Sequence, residues 1–271
     1  MKHYSTLNLK TLHLKTLHLK TLHLKTLHLK TLNLNEVDST NNYALRNLSS
    51  LSDRQVIVAE KQTRGHGRLA RKWVSHVPEN VYMSLILKPF REVKEHSPLV
   101  NLTQYMSVVI CEFLLKYDVH AELKWPNDVL VKGAKIAGLL GESTFQGILL
   151  KGYVLGAGIN LNMTPDDLKV IDQPATSLNL LTGNPVNRDS FISGLLDKFF
   201  SGYDQFLEKG FLHIKEQYTK KSTFLGKKIT ITSLKSRTTG IAKNFTDYGS
   251  LILAADSGEE KIIKAGDITC L

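Results

Sequence analysis

Two β-prone runs, Val-Ile-Val-Ala-Glu at 56–60 and the largely apolar segment 80–87, bracket a basic stretch at 62–73 that reads Gln-Thr-Arg-Gly-His-Gly-Arg-Leu-Ala-Arg-Lys-Trp. A strand, a cationic loop with two glycines and a second strand restrict the fold more than any other feature of the chain. Glycine lets a backbone approach a ligand without a Cβ in the way. Arg68 and Arg71 add forked donors suited to a phosphate or carboxylate, and Trp73 supplies a ring that stacks on a base. The loop is therefore expected to close over an anion attached to a flat ring. Gly65-x-Gly67-x-x-Ala70 also matches a loose dinucleotide-binding pattern, but no helix pattern opens behind it, so that reading fails in context.

Further along come Lys124-Trp125-Pro126-Asn127-Asp128 and Lys135-Ile136-Ala137-Gly138. Upstream stands Asp38-Ser39-Thr40-Asn41 and downstream Gly156-Ala157-Gly158-Ile159-Asn160. In content, order and spacing these segments resemble the biotin protein ligases, over roughly residues 35–271. One departure is His66-Gly67-Arg68, where the family usually has Arg-Gly-Arg; a histidine keeps a donor but carries charge only when its pKa allows.

The resemblance implies an α+β protein, with a mixed-sheet biotin/lipoate ligase-like catalytic domain followed by a small SH3-like β-barrel. It implies an ATP-dependent ligase that joins biotin to a lysine of a biotin carboxyl carrier protein through biotinyl-5'-AMP, with magnesium accompanying the nucleotide. By resemblance Lys135 and Arg68 are catalytic. Ser39, Thr40, Asn41, Gln62, His66, Gly67, Arg68, Lys135, Gly138 and Gly156 face biotin, while Arg71, Trp73, Asn127, Lys135 and Asn160 face ATP. The glycines at 138, 156 and 158 are expected to leave room for the ligand, and no protein metal site is implied. Two anions must meet, so cations that offset their repulsion are what the chemistry needs. Lipoate or octanoate attachment on the same fold is an alternative, and a thiol-dependent version would need Cys111.

The N-terminus is unlike the rest. Residues 6–35 are six pentapeptides: Thr-Leu-Asn-Leu-Lys, four copies of Thr-Leu-His-Leu-Lys, and Thr-Leu-Asn-Leu-Asn. A period of five sends successive leucine pairs to opposite faces of a strand and turns the pattern by about 140° per unit in a helix, so no single buried stripe results. Residues 1–35 are expected to form an extended or mobile arm. The equally spaced His13, His18, His23 and His28 match no metal-ligand geometry. Of the formal net charge of +10, the arm contributes six lysines and no acid, which leaves 29 basic against 25 acidic residues elsewhere.

That near balance argues against a nucleic-acid surface, and the short arm leaves no room for a helix-turn-helix module. The expectation is the monofunctional form, not a DNA-binding repressor. No apolar run reaches the roughly 18 residues a membrane span needs, so a cytoplasmic protein without membrane contact is expected, as a monomer or homodimer. Cys111 and Cys270 lack metal-ligand spacing.

Ser39 or Thr40 caps a predicted helix over 41–48, and 99–117 has helical periodicity with Leu102, Met106, Val109, Ile110, Phe113 and Leu114 on one face. Short strands are predicted near 122–125, 129–132, 135–142 and 148–160, then helices over 188–207 and 212–220. From Gly226 the texture changes to brief β-prone runs at 228–231, 238–243, 250–254 and 261–264. A boundary near Ser222 therefore divides a catalytic domain, 36–221, from a barrel, 222–271.

Overall fold

A computed structural model describes residues 29–88, 97–147, 149–233 and 236–270. The first part is a mixed seven-stranded sheet of β1 (Thr31–Val37), β2 (Val56–Gln62), β3 (Val81–Leu87), β4 (Glu122–Lys124), β5 (Asp128–Val131), β6 (Ala134–Gln146) and β7 (Leu149–Ile159), in the order β1-β2-β3-β7-β6-β5-β4. Only β1 and β2 run parallel. Parallel neighbours need a crossover, and α1 (Thr40–Arg46) supplies it.

Alternate residues along the strands divide the apolar side chains between two faces. Ile57, Ile86 and Val154 point to a small cluster with Ala44 and Leu48 around α1. Val56, Val58, Leu85 and Leu155 join the large core under α2 (Leu102–Leu114). Two short helices, α3 (Pro165–Lys169) and α4 (Leu178–Thr182), were not anticipated; at five residues each they are too brief to establish a periodicity. The long α5 (Arg188–Lys209) and α6 (Lys215–Lys221) complete this part. The apolar stretch Pro98–Tyr117 has the length and composition of a membrane span, yet it is largely buried in this core.

The C-terminal unit is an antiparallel five-stranded sheet of β8 (Lys228–Thr232), β9 (Arg237–Phe245), β10 (Leu251–Ala255), β11 (Glu260–Ile263) and β12 (Asp267–Cys270), ordered β11-β10-β9-β8-β12. The α+β class and the small second unit agree with the sequence reading, except that β12 was not foreseen. The two units share one continuous core: Phe245 packs its ring edge-on against Phe211 and Tyr218.

The arm requires a correction. Residues 31–35, assigned to it, form most of β1, in register Thr31 to Val56 and Leu32 to Ile57. Leu29 is buried in the large core, Leu32 is buried beside α1, and the Lys30 carbonyl accepts the Val56 N–H at 2.9 Å. The parallel edge slot on β2 overrides the frustrated period of five because it asks for only a few apolar contacts. Residues 1–28, which include the four histidines, lie outside the described residues.

Candidate active site

The cleft lies over the strand ends where β2, β3, β7 and β6 meet the basic loop. Its lining includes Ser39, Thr40, Asn41, Gln62, His66, Gly67, Arg68, Arg71, Trp73, Asn127, Lys135, Gly138 and Gly156 from the sequence-predicted set. Residues from Ser39 to Gly156 thus share one cavity of ≈ 180 Å³, but Asn160 is not among its lining residues.

At one end, β1 hands over to α1 through Asp38 and Ser39. Ser39 is the cap, its Oγ accepting the Asn42 N–H at 3.4 Å. Arg46, one helix turn and more away, forks onto both Asp38 oxygens at 2.6 and 2.8 Å and holds the Asp38 carboxyl down at about 2. The helix start is thereby fixed. Thr40 and Asn41 are both buried, and the Gln62 side-chain oxygen accepts the Thr40 N–H at 2.8 Å. This end offers hydroxyls and amides to a compact polar ring.

The basic loop folds back on itself. Gly67 N–H donates to the Arg71 carbonyl at 2.8 Å and Trp73 N–H to that of Gly65 at 2.9 Å. At its tip Leu69 and Ala70 take φ values of 54° and 56°, a left-handed conformation that costs residues with a Cβ free energy and often marks ligand clamps. Added Cβ atoms distinguish the glycines. At Gly67 nothing lies closer than 3.9 Å, so its open side faces ligand space, whereas at Gly65 a Cβ would sit 2.5 Å from Ser75 Oγ.

The glycines on the sheet line the cleft and also make space for protein side chains. A Cβ at Gly158 would lie 2.4 Å from Trp73 Cε2, one at Gly138 2.8 Å from Trp73 Cζ3, and one at Gly156 would meet the Asn41 amide. The room they leave is occupied by protein side chains. Trp73 lies flat against this glycine strip with its indole N–H buried and unpartnered, and Lys135 Nζ sits 5.3 Å from its ring centroid.

Lys135 is placed by both its backbone and its side chain. Its N–H donates to the Pro174 carbonyl and its own carbonyl accepts from Thr176, while Nζ pairs with Asp128 Oδ1 at 2.7 Å, both groups mostly buried. Asn127 donates to the Leu139 carbonyl at 2.6 Å and accepts from Arg68. The arginines reach into the C-terminal unit: Arg68 Nη1 lies 3.3 Å from Asp267 Oδ1 and donates to the Gly266 carbonyl, and Arg71 Nη2 lies 2.7 Å from Asp267 Oδ2. Sequence reasoning missed Asp267 entirely. It missed the Asp128 pairing as well, although Asp128 stood inside the quoted motif.

Asn160, expected to face ATP, lies beside this cleft. It is buried, donates to the Thr176 carbonyl at 3.0 Å and lines a smaller neighbouring pocket with Trp73, Lys135 and Gln173. Its role here is to tie down the segment that runs past Lys135. Trp125 is buried, with its indole donating to the Gly249 carbonyl. Cys111 is fully buried and burial pushes its thiol up to about 12, which disqualifies it as a thiolate nucleophile. Among the described residues no three His, Cys, Asp or Glu side chains cluster to hold a metal, and the cleft carboxylates Asp128 and Asp267 are both committed to cations.

Residues 34–160 match the model of the biotin/lipoate A/B protein ligase family, and residues 224–269 match that of the biotin protein ligase C-terminal domain. The chain belongs to the biotin protein ligase family. Within that family it is 31% identical over 212 residues to the bifunctional ligase/repressor BirA of Bacillus subtilis, covering 78% of this chain and 64% of that protein. It therefore spans just under two thirds of that relative's length. It is 29% identical over 233 residues to the biotin--[acetyl-CoA-carboxylase] ligase of Paracoccus denitrificans, covering 85% of this chain and 96% of that one. The biotin protein ligase from Aquifex aeolicus solved in complex with biotin and ATP superposes with a TM-score of 0.73 at 26% identity, covering 89% and 98% of the two chains.

Proposed function

We propose that this chain is an ATP-dependent ligase that activates biotin as biotinyl-5'-AMP and transfers it to a specific lysine of a biotin carboxyl carrier protein. The observation that carries this reading is Lys135, held mostly buried by Asp128 between the hydroxyl- and amide-lined end of the cleft and the arginine-rich loop.

In the first half-reaction a biotin carboxylate oxygen attacks the α-phosphorus, an O–P bond forms and pyrophosphate leaves. Both partners are anionic, so a buried cation at their meeting point stabilises charge developing at phosphorus more than it would in water. Lys135 takes that part, with Arg68 and Arg71 over the phosphates and Trp73 and Asn127 toward the base. Magnesium accompanying the nucleotide would shield the leaving pyrophosphate. In the second half-reaction the carrier lysine amine attacks the acyl carbonyl, the amide bond forms and AMP departs with the bond electrons. No protein nucleophile is needed, and the rate comes from positioning and electrostatics.

Lipoate or octanoate attachment is the nearest alternative. The polar Ser39, Thr40, Asn41 and Gln62 side chains favour a ring rich in donors and acceptors over a plain acyl chain. The decisive assay supplies labelled biotin, ATP and a carrier domain: label should appear on the carrier only with ATP present, and lipoate should not replace biotin. ATP-dependent lipoyl transfer without biotinyl transfer would overturn the assignment.

A further inference from the structure

Six side chains, Glu142, Asn41, Ser84, Thr40, Gln62 and Ser75, run as one hydrogen-bonded line beneath the polar end of the cleft, and Glu142 at its end and Ser84 within it lie outside the cleft lining. The direction of every proton in the Glu142 half is forced. Asn41 Nδ2 lies 2.8 Å from Glu142 Oε2 and 3.4 Å from the Leu140 carbonyl. Both neighbours only accept, so the Asn41 nitrogen must face them and its oxygen must face the other way. That oxygen lies 2.5 Å from Ser84 Oγ, and only the Ser84 proton can fill the contact. Ser84, its single proton spent, must accept from Thr40 Oγ1 at 2.8 Å.

The Thr40 hydroxyl, its proton turned inward, presents only lone pairs to the cleft. Beside it Ser39 Oγ already accepts the Asn42 N–H, which leaves its own proton free to donate. Gln62 accepts the Thr40 N–H and keeps one amide proton for the cleft. The polar end therefore offers an acceptor next to donors.

We infer that Glu142 is a positioning residue that, acting through Asn41 and Ser84, fixes the Thr40 hydroxyl as an acceptor and so selects a ligand ring bearing an N–H beside a carbonyl. The inference deepens the biotin reading, on which it rests, because a cyclic urea has that pattern. Replacing the carboxylate by a side chain without an acceptor frees the Asn41 amide to turn over, and the polarity of Thr40 is no longer set.

The test compares binding of biotin with that of two cyclic-carbamate analogues, each with one ureido N–H replaced by oxygen, to the full-length wild type, Glu142→Met, Glu142→Gln and Ser84→Ala. The wild type should lose about tenfold in affinity for at least one carbamate, the scale of a buried polar group left with the wrong partner. Glu142→Met should bind biotin about tenfold more weakly and discriminate that carbamate by less than about threefold, with ATP KM unchanged. Glu142→Gln keeps an acceptor for Asn41 and should restore discrimination. Ser84→Ala breaks the line in its middle and should lose discrimination as Glu142→Met does, whether or not the latter folds. Wild-type discrimination retained in Glu142→Met or in Ser84→Ala would overturn the inference. A wild type that does not bind biotin would instead overturn the reading beneath it.

Discussion

Lys135 Nζ stands 2.7 Å from Asp128 Oδ1, across the antiparallel pairing of β5 and β6. The carboxylate holds the ammonium in the cleft, where the proposed reaction brings two anions together. Lys135→Ala is expected to cut biotin-dependent pyrophosphate release by on the order of 10²-fold or more, the usual scale for removing an electrostatic stabiliser. Asp128→Asn, which leaves the lysine present but less firmly held, should lose less. A stopped-time pyrophosphate assay on folded variants checks both, and near-normal release by Lys135→Ala would exclude the assigned role.

Asp267 pairs with both Arg68 and Arg71 and so latches the basic loop to the C-terminal sheet. Arg68→Gly should let biotinyl-5'-AMP escape before the carrier lysine arrives and raise labelling of bystander lysines. Asp267→Asn should reproduce part of that leak, because the loop then depends on the Arg68 bonds to Gly266 and Asn127. The ratio of bystander to carrier label measures it. An Asp267→Asn enzyme as faithful as wild type would show that the latch does not govern retention.

The Trp73 indole rests on Gly158 and Gly138. Gly158→Ala places a methyl 2.4 Å from the indole, well inside van der Waals contact, and must displace the ring. Weaker ATP binding by about tenfold is expected, the loss of a stacked aromatic contact, together with a red-shifted indole emission as Trp73 becomes wetter. The chain has two tryptophans, and Trp125 is buried with its indole N–H hydrogen-bonded, so the shift reports Trp73. Unchanged emission with unchanged ATP affinity would contradict the packing role.

Leu29, just ahead of β1, and Leu32, within it, bury their side chains in two different apolar clusters. A protein starting at Leu29 is expected to label carrier within about twofold of the full chain, a difference worth under roughly 0.5 kcal/mol. One starting at Glu36 loses both leucines, at about 1.5–3 kcal/mol each, and the parallel partner of β2. It should unfold at a markedly lower temperature by circular dichroism. Equal melting temperatures would mean that β1 contributes nothing to the sheet.

The sequence by itself determined the chemistry of the cleft. Arg68, Arg71, Lys135, Asn127 and the Ser39–Asn41 segment are visible because each sits in a short motif whose residue types announce a function. The flanking strands and the helices over α2 and α5 are visible because their apolar periodicities are local and long. What the tertiary structure decided is which groups those residues touch. Asp267 lies 199 residues from Arg68, Glu142 lies 101 from Asn41, and no local pattern predicts a pairing made by folding the sheet back on itself. The sheet glycines show the same limit: the missing Cβ can be read from the sequence, but that Trp73 and Asn41 fill the space depends on the loop's path. The last pentapeptide is its clearest case. Its period suits no regular element on its own, and it becomes a strand because the edge of β2 supplies hydrogen bonds and an apolar surface that the isolated segment lacks.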